Sequence, residues 1–223
     1  LGLLGAIVVI VTMAGGSNAY GKWAATKIKS RTGASLATSA LGCLIFIDDY
    51  FNCLTVGTVM RPVTDKFRIS RAKLSYLLDA TAAPICIIAP ISSWGASVAT
   101  YMQNSGVENG MTAFIQTIPY NLYALCTILM IVLVCVGKRE FGSMAKFERA
   151  AMLENDLGSN QTDADAESLG QMEVRQNGKV IDLVVPILAL IVFTIIAMLY
   201  TGGAFSGQGI SPFEAIGNTD ASL

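Results

Sequence analysis

Apolar stretches alternate with polar ones along the whole chain. Five apolar stretches stand out as predicted elements, and they cover residues 1–14, 34–60, 74–100, 111–136 and 180–200. We expect the first of them to be the end of a longer helix. A bilayer core takes about 20 helical residues at about 1.5 Å each, so residues 111–136 and 180–200 can span it uninterrupted. This pattern predicts an all-α polytopic membrane protein.

The other segments complete the predicted organisation. Residues 1–136 form a transmembrane core, and residues 137–179 are a polar cytoplasmic loop, solvated and without chemistry of its own. Residues 180–223 hold a transmembrane helix and the start of a further element. We expect the chain to be an internal piece of a longer protein.

The basic residues predict a fold within the membrane. All 15 Lys and Arg lie in residues 22–31, 61–73 or 137–179. Short basic loops stay cytoplasmic, so residues 34–60 as a simple span would put the first two basic loops on opposite sides. A re-entrant hairpin, with legs of roughly 13 residues, or about 20 Å of helix, would return the chain to the cytoplasm. We favour the hairpin, with its turn near residues 47–52, over a plain kinked span.

Two adjacent acids, Asp48 and Asp49, interrupt residues 34–60, which contain no Lys, Arg or His. A carboxylate in hydrocarbon costs about 2.5–3.5 kcal/mol on insertion scales. Such groups are kept where they face a partner, water or an ion. The pair therefore indicates a cation or proton site.

Residues 74–100 carry a second interruption, at Pro84 and Pro90. Proline removes an N–H and displaces the carbonyl four residues earlier. The freed carbonyls, with Thr81, Ser92 and Ser93, are oxygen ligands of the kind that hard cations prefer. Discontinuous helices near the midplane are a recurrent device for ion binding in transporters. Ordinary proline kinking, satisfied by neighbouring helices, is the alternative.

Several strings of residues resemble the NhaC family of sodium/proton antiporters. They are Phe-Ile-Asp-Asp-Tyr-Phe-Asn-Cys-Leu-Thr-Val-Gly-Thr-Val-Met-Arg-Pro-Val-Thr-Asp-Lys at 46–66, Asp-Ala-Thr-Ala-Ala-Pro at 79–84, Ile-Ala-Pro-Ile-Ser-Ser-Trp at 88–94, Gly-Gly-x-x-x-Tyr-Gly-Lys-Trp at 15–23 and Gly-Asn-Thr-Asp-Ala-Ser at 217–222. The resemblance implies an ion transporter that is built from an inverted repeat and has paired hairpins. This chain would be one half of that repeat. The second hairpin would lie beyond residue 223.

The implied function is secondary active exchange of sodium for protons through one shared carboxylate site. We expect Asp48 or Asp49 to bind sodium with Asn52 and Thr55, helped by Thr81 or Ser92. Three further positions are weaker candidates: Asp79, for which an interfacial ion pair is the alternative, and Asn218 and Asp220, which could line a vestibule or cap the next helix.

Other functions are less well supported by the residues. Exchange of an organic acid within the same family is one alternative, and a cation channel is another. An intramembrane aspartyl protease needs acids on facing helices, whereas Asp48 and Asp49 are neighbours, so we do not expect an enzyme.

The partners expected from the sequence are sodium, protons and lipid. Fifteen basic residues nearly balance sixteen acids, which argues against nucleic acid, and five isolated Cys without His exclude a zinc-site spacing. No cofactor is expected. The predicted location is the plasma membrane, as a multi-pass protein with cytoplasmic basic loops, and a homodimer is one assembly that the sequence leaves open.

The hairpin can be tested by thiol labelling of intact cells. Cysteines introduced at positions 28 and 66 should react from the cytoplasmic side, and a cysteine at position 105 should react from outside. Labelling of positions 28 and 66 from opposite sides would restore the simple span.

Overall fold

Helices make up the regular structure of this computed structural model. It describes residues 13–137, 142–154, 177–206 and 212–217, together with residues 6, 9–11, 140, 156–158 and 175. In these residues the elements are α1 (Gly16–Lys27), α2 (Arg31–Leu44), α3 (Asp49–Lys66), α4 (Arg71–Cys86), α5 (Ser93–Asn104), α6 (Gly110–Thr117), a short 3-10 helix (Ile118–Tyr120), α7 (Leu122–Val136), α8 (Gly142–Leu153), α9 (Ile181–Thr201) and α10 (Pro212–Gly217).

Short polar side chains define where many of these helices begin. In each case a side-chain oxygen accepts a hydrogen bond from the backbone N–H three residues later, which satisfies one of the N–H groups that a helix start leaves free. The residues that cap helices in this way are Ser30, Asp48, Ser70, Ser92, Asn109 and Asn121. The local sequence therefore fixes the starts of α2 to α7.

Two of the predicted elements are broken helices. The first break, residues 45–48, separates α2 from α3, and the second, residues 87–92, separates α4 from α5. Pro90 lies in the second break, as predicted, whereas Pro84 lies inside the last turn of α4 and does not end it. A hydrogen bond from Ser93 N to Ile47 O, 2.9 Å long, joins the two breaks.

The helices of the described residues pack around three apolar clusters. In the first, α3 packs against α1, α2 and α4. The second joins α5, α6, α9 and α10, and the third joins α4 to α7. Helix α9 connects the first two clusters, because Leu183 near its start belongs to the first and Met198 near its end to the second.

Helix α9 agrees closely with the predicted span at 180–200. Among the described residues it is long and apolar enough to cross a bilayer by itself. The pair Gly110–Tyr120 and Leu122–Val136 passes the same test only together and is bent by 50°. By length and composition, the described residues hold one spanning helix, or two if the bent pair is one span. The re-entrant path of residues 34–60 stays a prediction, and residues 1–14 lie mostly outside the described residues.

The polar segment 137–179 differs from its prediction. Instead of a featureless solvated loop it contains helix α8, which packs against α4. The apolar pattern of this helix is weak, and its buried residues are Glu148 and Ala151. A buried acid does not register as a core position in a hydrophobicity pattern, which explains why the helix was missed.

Candidate functional site

The candidate site lies where the two helix breaks meet. Asp48 follows Ile47, and Ser92 precedes Ser93, so the hydrogen bond between Ile47 and Ser93 brings both predicted segments together. Each break leaves carbonyl groups at the end of one helix and N–H groups at the start of the next. Four helix ends therefore supply polar groups to one region of an otherwise apolar core.

The two adjacent acids sit at the start of α3 and are both half-buried. Asp48 Oδ1 accepts a 2.8 Å hydrogen bond from Phe51 N, and Asp49 occupies the first turn. The positive end of the helix dipole favours a negative charge at this position. Within the described residues neither acid forms an ion pair with Lys or Arg. The helix start thus holds negative charge that no basic side chain of this part neutralises.

Asn52 ties α3 to the end of α2. Its side chain is fully buried, and Nδ2 donates to Gly42 O at 2.6 Å and to Ile45 O at 2.8 Å. Gly42 lies in the last turn of α2 and Ile45 caps the end of this helix, where the carbonyls have no partner within the helix. Both amide hydrogens are therefore used. The amide oxygen, Oδ1, is an acceptor, and it has no hydrogen-bond partner in this structure.

Thr55 presents a second unpartnered oxygen one turn further along α3. The residue is 5% exposed, and its Oγ1 is buried without a hydrogen-bond partner. Side chains three residues apart lie on the same face of a helix, so this oxygen and Asn52 Oδ1 are neighbours. A buried polar group left unsatisfied costs about 1–3 kcal/mol. Two such oxygens thus lie on one face of α3, next to a pair of acids.

Thr81 brings α4 to the same place. It is fully buried, and its hydroxyl donates to Leu77 O at 2.7 Å, which leaves its lone pairs free to accept. A Cβ added at Gly42 would overlap the Thr81 side chain. The absence of a side chain at Gly42 therefore allows α2 and α4 to touch beside Asn52, so Asn52 and Thr81 both lie against Gly42.

Ser92 has a different environment from the one expected of a ligand. Its hydroxyl lies 2.6 Å from Cys86 O and 2.8 Å from Ala89 O, and it accepts a 2.9 Å hydrogen bond from Gly95 N. Most of its hydrogen-bonding capacity is spent on closing the break between α4 and α5. Ser92 therefore stabilises the backbone at the break, and its hydroxyl has little capacity left to bind an ion.

Asp79 lies on α4 and is exposed. Its carboxylate, like those of Asp48 and Asp49, lies within electrostatic range of the thiol of Cys53. Across the described parts of the chain, no three His, Cys, Asp or Glu side chains converge as a metal site. A cation here would therefore need amide, hydroxyl and carbonyl oxygens beside a carboxylate. Asn218 and Asp220 lie outside the described residues.

One buried acid, Glu148 of α8, was not predicted from the sequence. Its partners are more than 70 residues away along the chain, so no local motif marks them. The sequence does contain an excess of basic residues at positions 66–73. A basic side chain that is buried needs an acidic partner, so this excess could have indicated a buried acid elsewhere in the chain.

The chain is similar in sequence to a known protein. A protein of Haemophilus influenzae, described only as an uncharacterized protein, is 37% identical over 221 residues, which cover 96% of this chain and 40% of that protein. The chain thus spans about two fifths of the length of this curated relative. No solved structure matches.

A family model described as the Na+/H+ antiporter family matches residues 85–221. The match includes Ser92 and the whole of α5 to α9, whereas Asp48, Asn52, Thr55 and Thr81 precede it. Since the matched residues make up more than half of the chain, the chain belongs to the Na+/H+ antiporter family.

Proposed function

We propose that the protein containing this chain exchanges sodium ions for protons across the cell membrane, as an antiporter of the NhaC type. Membership of the Na+/H+ antiporter family supports cation/proton exchange in general. The motifs around residues 46–66 and 88–94 support the narrower assignment. The observation that carries the site is the pair of buried, unpartnered oxygens on Asn52 and Thr55 beside Asp48 and Asp49.

Sodium would bind in this region through several oxygens and one negative charge. Hard cations take carboxylate, carbonyl, amide and hydroxyl oxygens, and the junction of the two breaks offers each of these types. Binding would give Asn52 Oδ1 and Thr55 Oγ1 the partner that they lack, so part of the cost of leaving them buried would be recovered. An acid at the start of α3 would supply the compensating charge.

The proton would use the same charge. When sodium leaves, a proton can take its place on the carboxylate and remove the uncompensated charge from the membrane interior. Sodium and a proton then compete for one group, and each turn of the carrier moves one or the other. Exchange would follow from this competition without a separate coupling site.

Alternating exposure would come from movement of the broken helices. Rigid-body movement of helices around a fixed central site is the common transporter mechanism. The hydrogen bond between Ile47 O and Ser93 N links the two breaks, so a displacement of one half-helix would be transmitted to the other. We further propose a multi-pass arrangement with the basic loops in the cytoplasm, since that orientation follows the positive-inside rule.

Replacement of the acids by their amides tests the role of charge at the site. Asn caps a helix about as well as Asp, so Asp48→Asn should leave the start of α3 intact while removing the charge. We expect Asp48→Asn and Asp49→Asn, in the full-length protein, each to abolish or severely reduce sodium-driven proton movement in vesicles, with insertion unchanged or improved. Glu154→Gln, an exposed acid on the polar loop, is the matched control. Normal exchange by both aspartate variants would make the acids structural.

A second test removes one unpartnered oxygen. Thr55→Val keeps the shape of the side chain and deletes a hydroxyl that has no hydrogen bond, so stability should stay the same or rise. We expect the apparent sodium affinity to fall about tenfold, since one ligand oxygen is lost. Thr58→Val is the control, because the Thr58 hydroxyl donates to Leu54 O at 2.7 Å on the same helix. Equal sodium affinity in the two variants would exclude Thr55 as a ligand.

A further inference from the structure

Glu148 is a buried acid that the proposed transport site does not use. It lies on α8 in the polar segment and is 1% exposed. Its carboxylate accepts a 2.8 Å hydrogen bond from Ser70 N and forms an ion pair with Arg31, and Lys73 Nζ lies 3.9 Å from it. One side chain thus contacts three residues from two other parts of the chain.

These contacts join the starts of two helices. Arg31 is the first residue of α2, whereas Ser70 caps α4 and Lys73 lies in its first turn. Near their opposite ends the same two helices meet again, where Gly42 of α2 lies against Thr81 of α4. The 14 residues of α2 correspond to about 20 Å of helix, so Glu148 is too far from the candidate site to touch an ion there.

The surroundings of Glu148 make the connection hard to replace. Lys73 is 4% exposed, pairs with Glu140 and points its Nζ at Val134 O, 3.4 Å away. The cluster of Arg31, Lys73, Glu140 and Glu148 therefore balances two positive with two negative charges. Removal of one member of a buried set leaves an uncompensated charge, which strongly disturbs the local packing.

We infer that Glu148 is a positioning residue for ion exchange: it fixes the start of α2 against the start of α4, so that Gly42, with Asn52 bonded to it, stays against Thr81 at the other end. This inference rests on the proposed function. It assigns to the polar segment a role in setting the geometry of the sodium site. Loss of the connection loosens the contact between α2 and α4, which weakens sodium binding more than it slows the movement of the carrier.

Transport by charge-neutral variants in proteoliposomes tests the inference. Glu148→Gln keeps an oxygen for Ser70 N and removes the charge that Arg31 needs. We expect Glu148→Gln to raise the KM for sodium three- to tenfold, with the maximum rate per inserted protein changed less than about twofold. Arg31→Gln should also raise the KM, and the double variant should shift it by less than the product of the two single shifts, because both changes remove the same ion pair. Glu154→Gln should behave as the wild type.

The native thiol of Cys135 gives a readout that does not depend on transport. It is 2% exposed on α7, next to Val134, and its Sγ lies 3.5 Å from Ser39 Oγ of α2. In the full-length protein with its other cysteines replaced by Ser, a water-soluble maleimide should label Cys135 at least about fivefold faster in Glu148→Gln than in Glu154→Gln. Faster labelling would report that α2 has loosened from its neighbours.

The outcomes separate the two proposals. An unchanged KM in Glu148→Gln overturns the positioning role, whether or not Cys135 labels faster. A KM shift in the double variant that equals the product of the two single shifts also overturns it, because it means that Arg31 and Glu148 act independently. A wild-type protein that moves no protons in response to sodium refutes the proposed function instead, and the labelling of Cys135 still reports whether Glu148 holds α2 in place.

Discussion

A backbone that stops being helical inside an apolar environment must still find partners for its N–H and C=O groups, and the candidate site depends on this constraint. At the first break the solution is Asn52, whose amide donates to Gly42 O and Ile45 O. At the second it is Ser92, which bridges Cys86 O, Ala89 O and Gly95 N. The hydrogen bond from Ser93 N to Ile47 O then joins the two helix breaks. Asp48 and Asp49 lie half-buried at the end of the first break, next to these polar groups.

Charge is divided between two regions with different chemistry. At the helix breaks, Asp48 and Asp49 have no basic partner in the described part of the chain, so their charge is available to an ion or a proton. At the other ends of α2 and α4, Glu148 and Glu140 are paired with Arg31 and Lys73, so their charge is already used. This contrast explains why two sets of buried or half-buried acids, about one helix length apart, are assigned different roles.

The sequence predicted best what local chemistry decides. Interrupting acids and prolines located both broken helices, and α9 was predicted to within a residue at each end because its apolar run is unbroken. The effect of Pro84 was overestimated, because α4 continues past this proline to Cys86. Helix α8 and Glu148 could not be predicted from local pattern, because the partner Arg31 is 117 residues away. The free oxygens of Asn52 and Thr55 likewise emerge only from packing, although both residues were among the predicted ligands.

The central claim, that one carboxylate site holds either sodium or a proton, is tested most directly by sodium uptake into proteoliposomes of the full-length protein at several pH values. Competition requires the apparent sodium affinity to weaken as the pH falls from about 8 to about 6, by up to about tenfold for each pH unit once protons fill the site. The maximum rate at saturating sodium should change less than the affinity. An apparent sodium affinity that is independent of pH, with a maximum rate that varies with pH, would contradict a shared site and indicate separate sites for the two ions.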